Sequence, residues 1–173
     1  YITDLQAELE AEGDANVSLN LAYGTTIEAE QVSKVLKQAG VSADVQEKTV
    51  VVEGSLQSIL STSLADSDLL YNNNVQALET KYGQEPRRVL FNWWTTLKLM
   101  DKELKAQNEF RAAKITSNIM KKAVETSYNY FEVEPTKIAD NLGMVIFSLL
   151  FYVVYTLWYG FAILFVFEGW GLR

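Results

Sequence analysis

Tyr152, Tyr155 and Tyr159 recur three and four residues apart inside a stretch, residues 141–167, that carries no charged side chain. At 100° per residue they fall, with Ser148, within about 60° of one another, and Asn141 projects onto the same side. The chemistry on offer is hydrogen bonding by hydroxyls and stacking by aromatic rings in an apolar setting. Tyrosine concentrates at the two edges of a bilayer, so three at mid-depth point to a face that meets something other than lipid chains. Thr156 and Gly160, four apart beside this stripe, would let another backbone come close. Ile146, Leu150, Leu157, Phe161 and Leu164 on the far side suit lipid. Three occupants of the tyrosine face stay open: helices of other subunits, a second copy of the chain, or a flat pigment-like ligand against the tyrosines and Trp158.

Elsewhere, little in the chain could carry out a reaction. Glu8, Glu10, Glu12 and Asp14 form an acidic cluster that could hold a hard cation, but a solvated N-terminal end accounts for it better. The 173 residues include no histidine and no cysteine. That composition excludes disulfides, thiol nucleophiles, structural zinc, iron–sulfur clusters and any triad built on imidazole. No glycine-rich phosphate loop or nucleophile motif is present. The expectation is a protein with no catalytic residue, no metal site and no intrinsic cofactor, with pigment or lipid contact at the tyrosine face left open.

Charge divides the chain. Residues 1–85 carry 14 acids against 4 lysines, and residues 86–125 carry 9 basic residues against 4 acids. An acidic head therefore precedes a basic helical segment, which reads as a pair of solvated faces or as a surface for anionic lipid or an acidic partner. The acidic head argues against nucleic acid as a partner.

The elements that must position these residues can be read from periodicity. Val17, Leu19, Leu21 and Tyr23 alternate with polar residues, predicting a strand that Gly24 ends. Thr25 and Glu28 fit a helix start, Val32, Val35, Leu36 and Ala39 follow at helical spacing, and Gly40 suits the helix end. Two strands, with Val41, Ala43 and Val45 in one and residues 49–52 in the next, lead to a helix bearing Leu56, Ile59, Leu60 and Leu64. This order resembles the split βαβ, ferredoxin-like arrangement without its last strand. In outline it is similar to small metal-carrier domains, yet their cysteine-bearing first loop here reads Gly24-Thr25-Thr26-Ile27.

Asn72-Asn73-Asn74 marks a break, and residues 83–86 mark a boundary with Pro86 at a helix start. From Arg87 to about Tyr128 the pattern is helical, with Leu90, Trp94, Leu97, Met100 and Leu104 on one stripe and Phe110, Ile115, Ile119 and Ala123 continuing it. It predicts either one rod or, with a break near Gln107-Asn108, a helical pair. Trp93 and Trp94 read as packing residues. A hinge at residues 132–135, with Pro135 suited to start a helix, precedes the apolar run. The run is longer than the ~20 residues a bilayer requires. The predicted organisation is an α+β chain: an acidic α+β domain at 1–85, a basic amphipathic helical segment at 86–131, and a transmembrane helix with a short tail at 136–170.

No signal-peptide pattern stands at the N-terminus, and Tyr1 in place of methionine fits either a removed presequence or a start that lies upstream of it. Lys121, Lys122 and Lys137 before the run, against Arg173 after it, place the N-terminal part on the cytoplasmic, matrix or stromal side. The functional expectation is a non-catalytic accessory subunit of a large energy-transducing membrane complex, with the membrane and other transmembrane subunits as partners. A pI near 4.7 favours a thylakoid, photosystem or light-harvesting setting over a mitochondrial respiratory one. The alternative is a tail-anchored adaptor whose N-terminal domain binds a mobile protein.

Overall fold

The computed structural model describes residues 2–132 and 142–171. The chain divides into two compact units, Tyr1–Glu132 and Val133–Arg173. In the first, α1 (Ile2–Glu12) and β1 (Asn16–Ala22) are followed by α2 (Thr26–Gln38), β2 (Ser42–Gln46) and β3 (Thr49–Ser55). Five helices complete it: α3 (Leu56–Tyr71), α4 (Val75–Tyr82), α5 (Pro86–Ala106), α6 (Phe110–Ile119) and α7 (Glu125–Tyr130), with a π-helical turn, Met120–Val124, between the last two.

The sheet follows from alternation. Leu19, Leu21, Ala43, Val50 and Val52 are buried, whereas Ser18, Asn20, Asp44 and Glu53 are exposed. One face is therefore covered and the other open, as antiparallel sheets allow. The order is β1-β3-β2 and both pairings are antiparallel. α2 lies against β2 and β3, and α5 lies against β1. No fourth strand joins the sheet among the described residues; after α3 the chain continues as helices.

Caps sit where the residue types demand them. Thr25 Oγ1 accepts the Glu28 N–H at 3.2 Å, and Ser55 Oγ accepts the Ser58 N–H at 3.0 Å, so each opens its helix by satisfying a free donor. Gly40 follows α2 with φ 79°. Asn73 and Asn108 take the same left-handed conformation, at φ 56° and 64°. Each lies inside a paired hydrogen-bond closure: Asn73 N–H to Leu70 O with Asn74 N–H to Leu69 O, and Asn108 N–H to Lys105 O with Glu109 N–H to Leu104 O. Both are Schellman ends built on asparagine. The second decides between rod and pair: the helix stops at Ala106, and α6 packs back along α5.

That return has a consequence for domain organisation. The stretches 1–85 and 86–131 share one hydrophobic core, in which Leu19, Leu36, Leu60, Leu90, Leu97 and Ile119 are all buried. Gly83, in a left-handed conformation, ends α4, and Pro86 starts α5, so 83–86 is a corner between helices within one unit. Two details of the predicted stripe are corrected. Trp93 is fully buried and Trp94 only half so, because the buried arc of α5 runs through Val89, Leu90, Trp93, Leu97, Met100 and Leu104, with Trp94 at its flank. Phe110 is 63% exposed: it opens α6 at the corner, before the helix reaches the core through Ala113 and Ile115.

The second unit contains α8 (Leu142–Gly169), 28 residues of which none is buried. It is one helix long and apolar enough to cross a membrane. Asn141, Pro135, Lys137 and Arg173, named above, lie outside the described residues.

Gly54, near the end of the central strand β3, shows how closely the residue preceding β2 packs against that strand. Its φ is 149°, and a Cβ there would lie 2.7 Å from Val41 Cγ1 and 3.3 Å from Val41 Cα. Gly54→Ala therefore combines an unfavourable backbone conformation with a clash against the branched Val41 side chain. It should cost about 2 kcal/mol or more, read as a lower denaturation midpoint of the full chain; an unchanged midpoint would contradict this packing.

Candidate functional site

The tyrosine face of α8 is built by helical register alone. Tyr152, Tyr155 and Tyr159 are 67%, 59% and 58% exposed. Tyr155 and Tyr159 stack, with ring centroids 6.4 Å apart and planes 15° from parallel. That spacing lies within the range where aromatic pairs attract beyond their area burial. Ser148 is exposed one turn before Tyr152. Thr156 Oγ1 donates to the Tyr152 carbonyl at 2.7 Å, which satisfies its hydroxyl inside the helix. A Cβ on Gly160 would meet nothing within 4 Å, so the backbone there is open to approach. Six of the seven candidate residues are thus described and presented outward, and Asn141 is the exception outside the described residues. A second ring pair, Phe147 and Phe151, stacks at 6.2 Å along an adjacent line of the helix.

The acidic cluster near the N-terminus does not converge. Glu8 Oε1 accepts from Asn118 Nδ2 at 2.9 Å, whereas Asp14 Oδ1 accepts from Ser55 Oγ at 2.6 Å. Each is tied to a different element. Among the described residues no three acidic groups gather around a point where a cation could sit.

A buried centre that periodicity did not single out lies between α3, α4 and α5. Asp66 is fully buried. Its Oδ1 accepts from Lys81 Nζ at 2.7 Å, and its Oδ2 accepts from Trp93 Nε1 at 2.8 Å and from the Tyr82 hydroxyl. Lys81 Nζ also stands 4.9 Å from the centre of the Tyr82 ring. A buried carboxylate without partners would cost several kcal/mol; with three donors, one of them charged, it joins three helices. Closed to solvent, this carboxylate positions helices and has no route to a substrate. The signal was present: Asp66 falls at the edge of the buried arc of α3, within about 60° of Ile59, Ser63 and Leu70, where an acid requires a donor set.

Two buried phenols share this character. Burial, followed by the Asp66 charge and the hydrogen bond to it, holds Tyr82 protonated well above the ordinary phenol value of 10.0. Burial does the same for Tyr23, whose hydroxyl lies 3.1 Å from Thr96 Oγ1. Since the Thr96 hydroxyl donates to the Asn92 carbonyl at 2.7 Å, Tyr23 is the donor in that pair.

Comparison with known protein families, with curated proteins and with solved structures returned no match. The α8 face and the Asp66 centre are therefore read from their own chemistry.

The raised phenols set an alkaline limit. Below the unfolded phenol value both states keep these protons, and the stabilising contribution is fully present. Above it the unfolded chain loses them first, and the contribution declines. Denaturation midpoints should hold steady below about pH 10 and fall above it, less steeply in Tyr82→Phe. An equal slope in both proteins would contradict the assignment.

Proposed function

We propose that this chain is a non-catalytic accessory subunit of a membrane complex. In this reading α8 crosses the bilayer once, and the face formed by Ser148, Tyr152, Tyr155 and Tyr159 packs against helices of other subunits. The supporting observation is the set of three exposed phenols, two of them stacked, near the middle of the charge-free stretch of α8 that ends before Glu168. Hydroxyls at that depth need partners, and neighbouring helices supply them where lipid chains do not. The open backbone at Gly160 fits the same use.

The first unit then serves as the inside-facing part of the subunit, on the cytoplasmic, matrix or stromal side, in keeping with Lys121 and Lys122 preceding the span. We read its sheet as the split βαβ portion of a ferredoxin-like arrangement. β1 and β2 run the same way with β3 between them, and α5 to α7 stand where the pattern would bring a last strand.

The combined variant Tyr152→Leu, Tyr155→Leu and Tyr159→Leu separates anchoring from assembly. Leucine preserves the span, so the protein should stay resistant to alkaline carbonate extraction. Its incorporation into the complex should drop about tenfold, in line with three lost interhelical contacts of modest strength each. Wild-type incorporation of the triple variant would overturn the proposal.

A further inference from the structure

Outside α8, exposed chemistry gathers on the outward side of α5. Arg87, Phe91, Trp94, Lys98 and Lys102 fall within about 80° of arc on that helix. Arg87, Lys98 and Lys102 are exposed, whereas Phe91 and Trp94 are half-buried. The Phe91 and Trp94 rings lie 6.1 Å apart and, with Glu125, Tyr128 and Asn129, line an open groove of about 240 Å³. Cations edge this aromatic floor. Lys98 Nζ stands 4.7 Å from the Trp94 ring centre, Arg88 stands 5.2 Å from Phe91, and Arg87 stands 5.3 Å from Tyr128. Glu125 is the one carboxylate lining the groove; Asp101, further along α5, is held by Lys105 at 2.7 Å.

We propose that this aromatic and cationic face of α5 and α7 rests on the anionic headgroup layer of the membrane that α8 enters. The inference depends on the reading of α8 as a span and adds to it a second, peripheral contact. Three observations single out lipid as the occupant. Tryptophan and tyrosine beside lysine and arginine is the combination that suits a bilayer's interface, where amphipathic rings and long cationic stems each keep one end wet. Charge selects the face: the 14 acids of residues 1–85 would be repelled by an anionic surface, and the basic stretch that follows them would be drawn to it. Reach permits the contact, because nine residues, 133–141, join Glu132 to Leu142 and can extend over at most roughly 35 Å.

The chain has no cysteine, so one introduced thiol can carry a unique spin label. Asn129→Cys places it at the groove, and Asn20→Cys places it on the open face of the sheet, away from the helices. The full chain is reconstituted into vesicles of phosphatidylcholine with phosphatidylglycerol and a trace of lipid carrying a gadolinium chelate on its headgroup. The label at Asn129→Cys should relax at least about threefold faster than that at Asn20→Cys. The difference should vanish in phosphatidylcholine vesicles, and also when Arg87→Gln, Lys98→Gln and Lys102→Gln are combined. Equal relaxation at the two positions in anionic vesicles, with α8 still resistant to carbonate, would overturn this contact and leave the span standing. Approach to lipid only when a co-purified protein is added would assign the face to that protein and overturn the proposal. Release of the chain by carbonate would instead overturn the membrane reading on which the proposal rests.

Discussion

The strongest single constraint on this chain is the apolar helix α8, which leaves large apolar side chains exposed along its length. α8 buries none of its residues within its own unit, and the large side chains of Leu142, Phe151, Leu157, Phe161 and Phe165 are each at least half exposed. Each such side chain kept in water forgoes about 1.5–3 kcal/mol. Summed along 28 residues the deficit reaches tens of kcal/mol, well above the 5–15 kcal/mol by which a domain is ordinarily stable. α8 is thus a helix long and apolar enough to gain from an apolar environment. A bilayer supplies it without partner side chains, provided that polar groups on the helix are satisfied. Most are satisfied internally: backbone groups by the helix itself and Thr156 by the Tyr152 carbonyl. The hydroxyls of Ser148, Tyr152, Tyr155 and Tyr159 and the Trp158 indole N–H remain, and the phenols give the helix its distinguishable side.

The N-terminal unit answers to a different constraint. Its core is closed within residues 2–132, and its stability passes through a buried charge. Asp66 connects α3 to α4 through Lys81 and Tyr82 and to α5 through Trp93. Such a centre gives these helices one arrangement, because any other leaves a carboxylate without donors in a dry interior. Rigid packing beneath α5 also keeps Phe91 and Trp94 in place above it. A surface that depends on ring positions and cation–ring distances of about 5 Å needs that support.

Local rules made much of this legible in the sequence. Alternation from Val17 to Tyr23, the threonine cap before α2, Gly40 after it and the charge-free run of α8 each depend on residues close in the chain. Where two outcomes remained, a single backbone conformation decided: Asn108 in the left-handed region ends α5 and turns α6 back onto it, joining what composition had divided at residue 85. Trp94 is the tryptophan the periodicity puts on the buried stripe and Trp93 takes that place, since 100° of rotation separates core from groove and the centre of the buried arc depends on what packs there. The partners of Asp66 lie 15, 16 and 27 residues away, and only the tertiary fold brings them together. The outward positions of Ser148, Tyr152, Tyr155, Thr156, Tyr159 and Gly160 on α8 follow from helical geometry alone, whereas what they meet does not.

The central claim is that α8 is an interface as well as an anchor. Its most direct test is solubilisation of the native membrane in a mild detergent, followed by native-size separation and identification of what travels with the chain. The account predicts a stoichiometric assembly with other membrane-spanning subunits. Migration as a free monomer under the same conditions would contradict it.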